Sequence, residues 1–505
     1  MFYKSTRNPA LRLKASQAIA QGLSHEGGLF VPVEMPNVKE HFAEWSKLSY
    51  QALAEEIFSL FLDDFTKEEI ADCVKGAYAS DKFGGQTPVQ LVQLDKNDRT
   101  KWILELWHGP TCAFKDMALQ ILPRFLTVSQ KKNGGNQEAV ILVATSGDTG
   151  KAALEGFKDV PETSIIVFYP NGGVSQVQRK QMATQAGENV TVCAVNGNFD
   201  DTQTGVKLIF NDSEMNAFLQ DQDCFFSSAN SINWGRLLPQ VVYYFYSYFE
   251  MYRKGGISSL DEEVNITVPT GNFGNILAAF YASEMGLPVK KFICASNANN
   301  VLTDFINTGI YNRNRDFYTT TSPSMDILVS SNLERLLYRL SGENSEQLTE
   351  WMQDLNSKGS YQINDSTFDK ISAKFYGGFC TDEETAEVIQ KTFETKKYLT
   401  DTHTAVAIGV YERYLKETGD NTPVIIASTA NPYKFSESVL PALGGDKIED
   451  EFTKIHNLEK ITGMPVPPQI QELQHLTERF DTVIEKENMA EFVRKTVLAK
   501  KRKAL

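Results

Sequence analysis

The sequence predicts an α/β fold of parallel sheets covered by helices on both faces. Two features carry that expectation. From about Lys101 onward, continuous apolar runs alternate with helical patterns, as in βαβ units. Two of the runs end in glycine loops that open helices, at Val143–Gly150 and Pro269–Asn275. Residues 1–95 read as a separate N-terminal domain. There Ala15–Gly22 and Tyr50–Phe65 carry helical apolar spacing, and Gly27-Gly28-Leu29-Phe30-Val31-Pro32 is a turn into a short strand.

Residues 96–440 form the core. It opens on Trp107–Ala118, where a Gly109-Pro110 turn and Thr111 precede a predicted helix; Phe114, Ala118, Ile121, Leu122 and Phe125 recur at helical spacing. Ala139–Thr145 is an uninterrupted apolar strand, and Ser164–Tyr169 and Val190–Val195 are two more. Asn233–Tyr252 is a helix so rich in Tyr and Phe that it belongs inside. Strand Val264–Val268, helix Ile276–Met285 and strand Val289–Ser296 repeat the βαβ unit. Residues 305–400 read as a mainly helical, acidic insertion, with a capping box at Thr381-Asp382-Glu383-Glu384. Helix Thr402–Tyr414 and strand Val424–Ser428 close the core, and 441–505 is a helical C-terminal segment.

Composition narrows the function. With 505 residues and a net charge of −14, the chain lacks the clustered cations of a nucleic-acid-binding surface. Lys500–Lys503, its one basic run, reads as a solvated helix end. No stretch approaches the roughly 18 apolar residues of a membrane span, and Met1–Arg7 lacks the apolar core of a signal peptide. Cys73, Cys112, Cys193, Cys224, Cys294 and Cys380 stand singly, which suits reduced thiols in the cytoplasm and offers no metal framework. Cys112 reads as a packing residue.

Lys115 falls in the first turn of the predicted helix, with Leu119 and Leu122 on its own side. An amine so placed reaches water along its stem, loses its proton by desolvation, or bonds covalently to a carbonyl carbon. The two glycine loops add context. Each frees N–H groups at a helix start, a geometry that binds anions. Neither has the G-x-G-x-x-G of a dinucleotide site, and Ala152 stands where a P-loop needs a hydroxyl. Either loop alone occurs for conformational reasons; two, both with Ser, Thr or Asn, suggest a ligand with two anionic ends. Ile425–Ala430 adds a strand ending in the hydroxyls of Ser428 and Thr429. Together a lysine, a phosphate-type loop and a hydroxyl at a strand end describe a pyridoxal phosphate site.

Several motifs make the resemblance specific. Tyr3-Lys4-Ser5-Thr6-Arg7, Gly27–Pro32, His108–Thr111 with Phe114-Lys115-Asp116, Thr145–Gly150, Ser228–Asn233, Gly271–Asn275 and Ser428-Thr429-Ala430 follow one another as in the threonine synthases. The sequence resembles that family almost from end to end. The resemblance implies the tryptophan-synthase-β-like fold type II, with two α/β lobes, and pyridoxal 5'-phosphate carried on Lys115. It implies that Gly271, Asn272, Phe273, Gly274 and Asn275 take the cofactor phosphate and Thr429 faces the pyridine nitrogen. Ser146, Gly147, Asp148 and Thr149 would take the substrate α-carboxylate. The implied reaction turns O-phospho-L-homoserine and water into L-threonine and phosphate, by γ-elimination and β-addition of water. Arg236 is the candidate cation for the substrate phosphate, ahead of Lys180, Arg179 and Lys207. His108 and His403 are either contacts to the ligands or packed core residues. Asn431 stands where a number of family members have His, which leaves that side chain's role open. A monomeric or homodimeric cytoplasmic enzyme with a small-molecule substrate, no nucleic acid and no membrane is expected. Two alternatives remain at this level: a fold type II lyase for another hydroxy or phospho amino acid, and a non-catalytic binder of a phosphorylated metabolite.

Overall fold

Val- and Ile-rich runs without polar interruption become strands covered on both faces, and two sheets take them up. The computed structural model describes residues 1–504 apart from 86, 136 and 447, and the side chains of 200, 503 and 504 lie outside that description. The first sheet has five parallel strands, in the order Val483–Glu485, Val190–Asn196, Thr163–Pro170, Glu138–Ala144, Cys224–Ser227. The second has six, in the order Phe375–Phe379, Val289–Ser296, Val264–Pro269, Val424–Ser428, Asp98–Glu105, Gln90–Asp95. Only its last pair is antiparallel. In both sheets the strand order reverses at one strand, Glu138–Ala144 in the first and Val264–Pro269 in the second. Loops leaving such a switch point diverge and open a crevice at the carboxyl ends of the strands. Both glycine loops leave from there.

Helix Trp234–Arg253 is the spine between the N-terminal domain and the core. Nearly all its aromatic side chains are buried, as composition suggested, and it packs against helices Tyr50–Phe61 and Gly274–Glu284. The capping box at Thr381 forms as expected, Thr381 and Glu384 each accepting the other's backbone N–H. Helix Asp148–Phe157 starts three residues before the expected Lys151, and helix Gly274–Glu284 two before Ile276.

The structure departs from the sequence reading at several places. The expected helix from Thr111 is two pieces, Asp116–Leu119 and Leu122–Lys132. Pro123 lacks an N–H and its ring disfavours the preceding helical turn, so the helix restarts around it. Lys115 is the cap residue just before the first piece, with helical φ −61° and ψ −24°, and its carbonyl accepts the Leu119 N–H at 2.9 Å. Gln90–Asp95, read with the N-terminal domain, is an edge strand of the six-stranded sheet. The 305–400 insertion contributes Phe375–Phe379 to the other edge of that sheet, and the tail contributes Val483–Glu485 to the first sheet. Strands of five and three residues carry too short a pattern to read. Lys500 and Lys501 are not simply solvated: both pair with Glu138, at 2.5 and 3.3 Å. The Lys503 side chain lies outside the described residues.

Candidate active site

A cavity of about 340 Å³ opens where the carboxyl ends of the two sheets meet. Lys115, Ser146, Asp148, Thr149, Arg236, Gly271–Asn275 and Thr429 line it, so of the residues first assigned to cofactor and substrate only Gly147 stands apart.

Gly271–Asn275 follows the switch-point strand of the six-stranded sheet. Among the described residues, the amide N–H groups of Gly271, Asn272, Phe273, Gly274 and Asn275 donate to no protein acceptor. The carbonyls behind them are engaged: Ser330 Oγ donates to Gly271 O at 2.7 Å, and the Asn332 N–H donates to Asn272 O at 3.1 Å. Phe273 sits at φ +63°, the left-handed region, at the entry to the helix. Gly271 is obligatory, because a Cβ there would meet Ser324 O at 2.5 Å. Asn275 Oδ1 accepts from the Tyr243 and Tyr244 hydroxyls at 2.7 and 2.5 Å. That leaves its buried Nδ2 with no acceptor.

Lys115 is anchored on both sides. The Phe114 N–H donates to Thr429 O at 2.8 Å and the Asn431 N–H to Cys112 O at 3.0 Å, bolting the lysine's loop to the end of strand Val424–Ser428. Asp116 accepts from the Thr111 N–H and hydroxyl at 2.8 and 2.7 Å and closes the Gly109–Thr111 turn. Leu119 and Leu122 point into the core, not along the amine. Instead, Nζ donates to Ser324 Oγ at 3.2 Å, stands 3.8 Å from Asp148 Oδ2, and lies 4.8 Å from the centre of the Phe114 ring. Burial lowers its pKa to about 8, Asp148 opposing and Arg236 assisting the shift.

The other glycine loop is built differently. Thr145 Oγ1 accepts the N–H groups of Gly147 and Gly150 at 3.0 and 2.8 Å, so those amides are spent internally. Gly147 does not line the cavity. It makes the turn at φ +130°, with Gln178 where a Cβ would stand. The N–H groups of Ser146, Asp148 and Thr149 remain without protein acceptors among the described residues. The Asp148 side chain is already paired, with Lys434 Nζ at 2.6 Å and Gln178 Nε2 at 2.9 Å, so only its amide can serve an anion. Burial pushes the Asp148 carboxyl up, but Lys434 and Lys115 outweigh it and hold the group well below the usual carboxylate range.

Arg236 lies in the first turn of helix Trp234–Arg253 and is buried. Nη1 donates to Ala229 O at 2.7 Å, and no carboxylate pairs with the guanidinium among the described residues. Desolvation lowers its pKa to about 10, still far above neutrality. The weaker cation candidates lie elsewhere: Arg179 and Lys180 pair with Glu478, and exposed Lys207 meets Gln203. His108 stacks on Trp107 and pairs with Glu105 at 2.8 Å, outside the cavity. His403 lines the cavity; its Nε2 accepts the Ser324 N–H at 3.2 Å, which assigns the ring proton to Nδ1, 2.9 Å from Asp401. Asn431 caps the short helix Pro432–Phe435 by accepting the Tyr433 N–H, a structural task.

Sequence reasoning missed Lys434 and Ser324. Lys434 is fully buried and also donates to Thr111 O at 2.9 Å. A lysine between Tyr433 and Phe435, shortly after the end of strand Val424–Ser428, was the available signal.

These donors fit pyridoxal phosphate: a buried amine of lowered pKa, five free amides and an orphaned Asn275 Nδ2 for an anion, and a Thr429 hydroxyl bound to no protein group among the described residues. Comparisons with known proteins agree. Family models described as threonine synthase N terminus, pyridoxal-phosphate dependent enzyme, and threonine synthase C-terminal match residues 2–78, 81–430 and 404–497. A threonine synthase of Saccharomyces cerevisiae is 38% identical over 492 residues, covering 91% of this chain and 94% of its own. A human protein, threonine synthase-like 1, is 39% identical over 464 residues; the match covers 89% of this chain and 61% of that longer relative. The crystal structure of pyridoxal-phosphate-bound threonine synthase from Brucella melitensis superposes with a TM-score of 0.86 at 35% identity, covering 98% of this chain and 99% of that one. The chain therefore belongs to the threonine synthase family of pyridoxal-phosphate-dependent enzymes.

Proposed function

We propose that the chain converts O-phospho-L-homoserine and water to L-threonine and phosphate, as a pyridoxal-phosphate-dependent carbon–oxygen lyase. The observation that carries this reading is the placement of one buried amine between two amide-lined loops in a single cavity. Lys115 holds the cofactor; Gly271, Asn272, Phe273, Gly274 and Asn275 bind its phosphate through their amides; Thr429 accompanies the ring nitrogen. When bound, the cofactor supplies an electron sink for the pair left as a substrate C–H bond breaks. A hydroxyl partner does not force that nitrogen to stay protonated, which leaves more of the work to acid–base steps at Lys115.

With a pKa near 8, roughly a tenth of the free Lys115 amine is neutral at pH 7, far more than for an ordinary lysine. It can take the Cα proton and hand it to the departing phosphate oxygen, take a Cβ proton and deliver it to Cγ, and, as water adds its hydroxyl at Cβ, pass the water's remaining proton to Cα. Ser324 Oγ and Asp148 keep Nζ on its path. The amides of Ser146, Asp148 and Thr149 take the α-carboxylate, and Gly147 shapes the turn that presents them. Arg236, carrying a charge unmatched by any carboxylate among the described residues, faces the departing phosphate.

The test is to incubate the protein with O-phospho-L-homoserine and assay phosphate and threonine together. Equal amounts support the proposal. Phosphate with 2-oxobutyrate and no threonine would assign the chain to a related lyase, and an unchanged substrate would leave a binding protein.

We also propose a domain division in which the N-terminal unit ends before Gln90, the core runs from there to about 440, and 441–505 is a C-terminal segment. The sheet pairing of Gln90–Asp95 supports moving that boundary from 95. A cytoplasmic enzyme, monomer or homodimer, without a nucleic-acid partner fits the charge of −14. Among the described residues no helix is long and apolar enough to cross a membrane.

A further inference from the structure

We infer that Ser330 and Asn332 are positioning residues that aim the phosphate-binding amides, and that Arg335 ties them to the N-terminal domain. The inference rests on the assignment of Gly271–Asn275 to the cofactor phosphate. In a trans peptide the C=O and the following N–H point in opposite directions. A donor that captures a carbonyl from behind therefore aims the next amide forward. Ser330 Oγ donates to Gly271 O at 2.7 Å, which turns the Asn272 N–H toward the cavity. Asn332 donates twice to Asn272 O, from its backbone N–H at 3.1 Å and its Nδ2 at 3.0 Å, which turns the Phe273 N–H the same way.

The loop needs such a brace. Phe273, at φ +63°, occupies a region that non-glycine residues enter at a cost. Released, its peptide planes could rotate and present a carbonyl oxygen to the phosphate. The brace is itself fixed: the Tyr311 hydroxyl accepts the Ser330 N–H at 2.8 Å. Arg335 Nη1 donates to Asn332 Oδ1 at 2.6 Å, and that bond orients the amide so that Nδ2 faces Asn272. Fully buried Arg335 then reaches the N-terminal domain, donating to Phe30 O at 3.0 Å, and donates to Ile232 O at 2.6 Å. Its neighbour Glu334 accepts from Thr6 Oγ1 at 2.6 Å and from Arg7 Nε and Nη2 at 3.0 and 2.7 Å. The Tyr3–Arg7 and Gly27–Pro32 motifs, which carry no chemistry of their own, thereby clamp the segment that shapes the anion site.

The experiment compares pyridoxal 5'-phosphate with pyridoxal, which has the aldehyde but no phosphate, by absorbance titration of the full chain freed of cofactor. Asn332→Ala and Ser330→Ala should each weaken pyridoxal 5'-phosphate about tenfold, the worth of a hydrogen bond or two, and leave pyridoxal affinity unchanged. Arg335→Lys should reproduce the pattern at smaller size. Equal weakening of both aldehydes, or of neither, would overturn the inference; Ser330→Ala removes a single hydroxyl and serves if the Asn332 variant does not fold. Failure of the wild-type chain to bind either aldehyde would count instead against the cofactor assignment.

Discussion

The two glycine loops leave their sheets in the same way yet treat their amides and charges in opposite ways. The 271–275 loop keeps five amides free among the described residues, contains no acid, and has its carbonyls drawn back by the 330–335 segment. The 145–150 loop gives two amides to Thr145 and carries an aspartate that Lys434 neutralises from within. The difference suits the two ligands. A permanently bound phosphate dianion rewards every donor that can be aimed at it, whereas an α-carboxylate that arrives and leaves needs fewer. The acid in the second setting also lies 3.8 Å from the working amine, where it counteracts desolvation. What separates the loops is their own residues, Thr145 and Asp148 in one and neither type in the other, together with the company they keep.

Removing the point on which both loops converge should have the largest effect. Lys115→Ala is expected to cut threonine formation about a thousandfold or more, measured at saturating substrate and cofactor. A variant retaining a tenth of the wild-type rate would break the comparison, because the loops would then serve some other group. Next comes Lys434→Met, which leaves the Asp148 carboxylate buried without its cation and should cost about 3–5 kcal/mol in chemical denaturation. Pairing it with Asp148→Asn should recover much of that loss; an additive double variant would mean the two side chains are not coupled.

Substituting one glycine in each loop sharpens the contrast at a smaller scale. Gly271→Ala drives a methyl against the Ser324 carbonyl and should weaken cofactor binding by about 1–3 kcal/mol. Gly147→Ala strains a turn at φ +130° and should raise the KM for O-phospho-L-homoserine while cofactor affinity stays put. If the two variants behave alike, the loops do not divide the ligands. The smallest effect is a shift in pH dependence. Below pH 8 the Lys115 amine is mostly protonated and unreactive, and above it neutral. Cofactor uptake by the stripped enzyme should therefore rise through about pH 8 and level off, instead of climbing toward the 10.4 or so of an ordinary lysine. Asp148→Asn removes a charge that raises this pKa, so its profile should move to lower pH.

Much of this site was legible in the sequence because its parts sit at places that physics marks. Glycines at strand ends before helices, a hydroxyl pair at the end of Val424–Ser428, and Lys115 beside a Gly-Pro turn all leave a trace in residue order. The cofactor followed from their combination and the substrate from family resemblance. Side-chain alliances between distant parts of the chain left no such trace. Lys434 with Asp148, Ser324 with Lys115, and Asn332 behind Asn272 are partnerships of topology, visible only once the sheets are assembled. The fold was missed for a similar reason wherever an element was short: Phe375–Phe379 and Val483–Glu485 become strands because a sheet edge is there to receive them. Pro123, in plain view, was the clue that the Lys115 helix would break.

The claim that both loops serve one amine is tested most directly by borohydride reduction of the holoenzyme followed by peptide mapping. The account predicts a single pyridoxyl group, on the peptide that contains Lys115. The group on either neighbouring buried lysine, Lys151 or Lys434, or on no lysine at all, would contradict it.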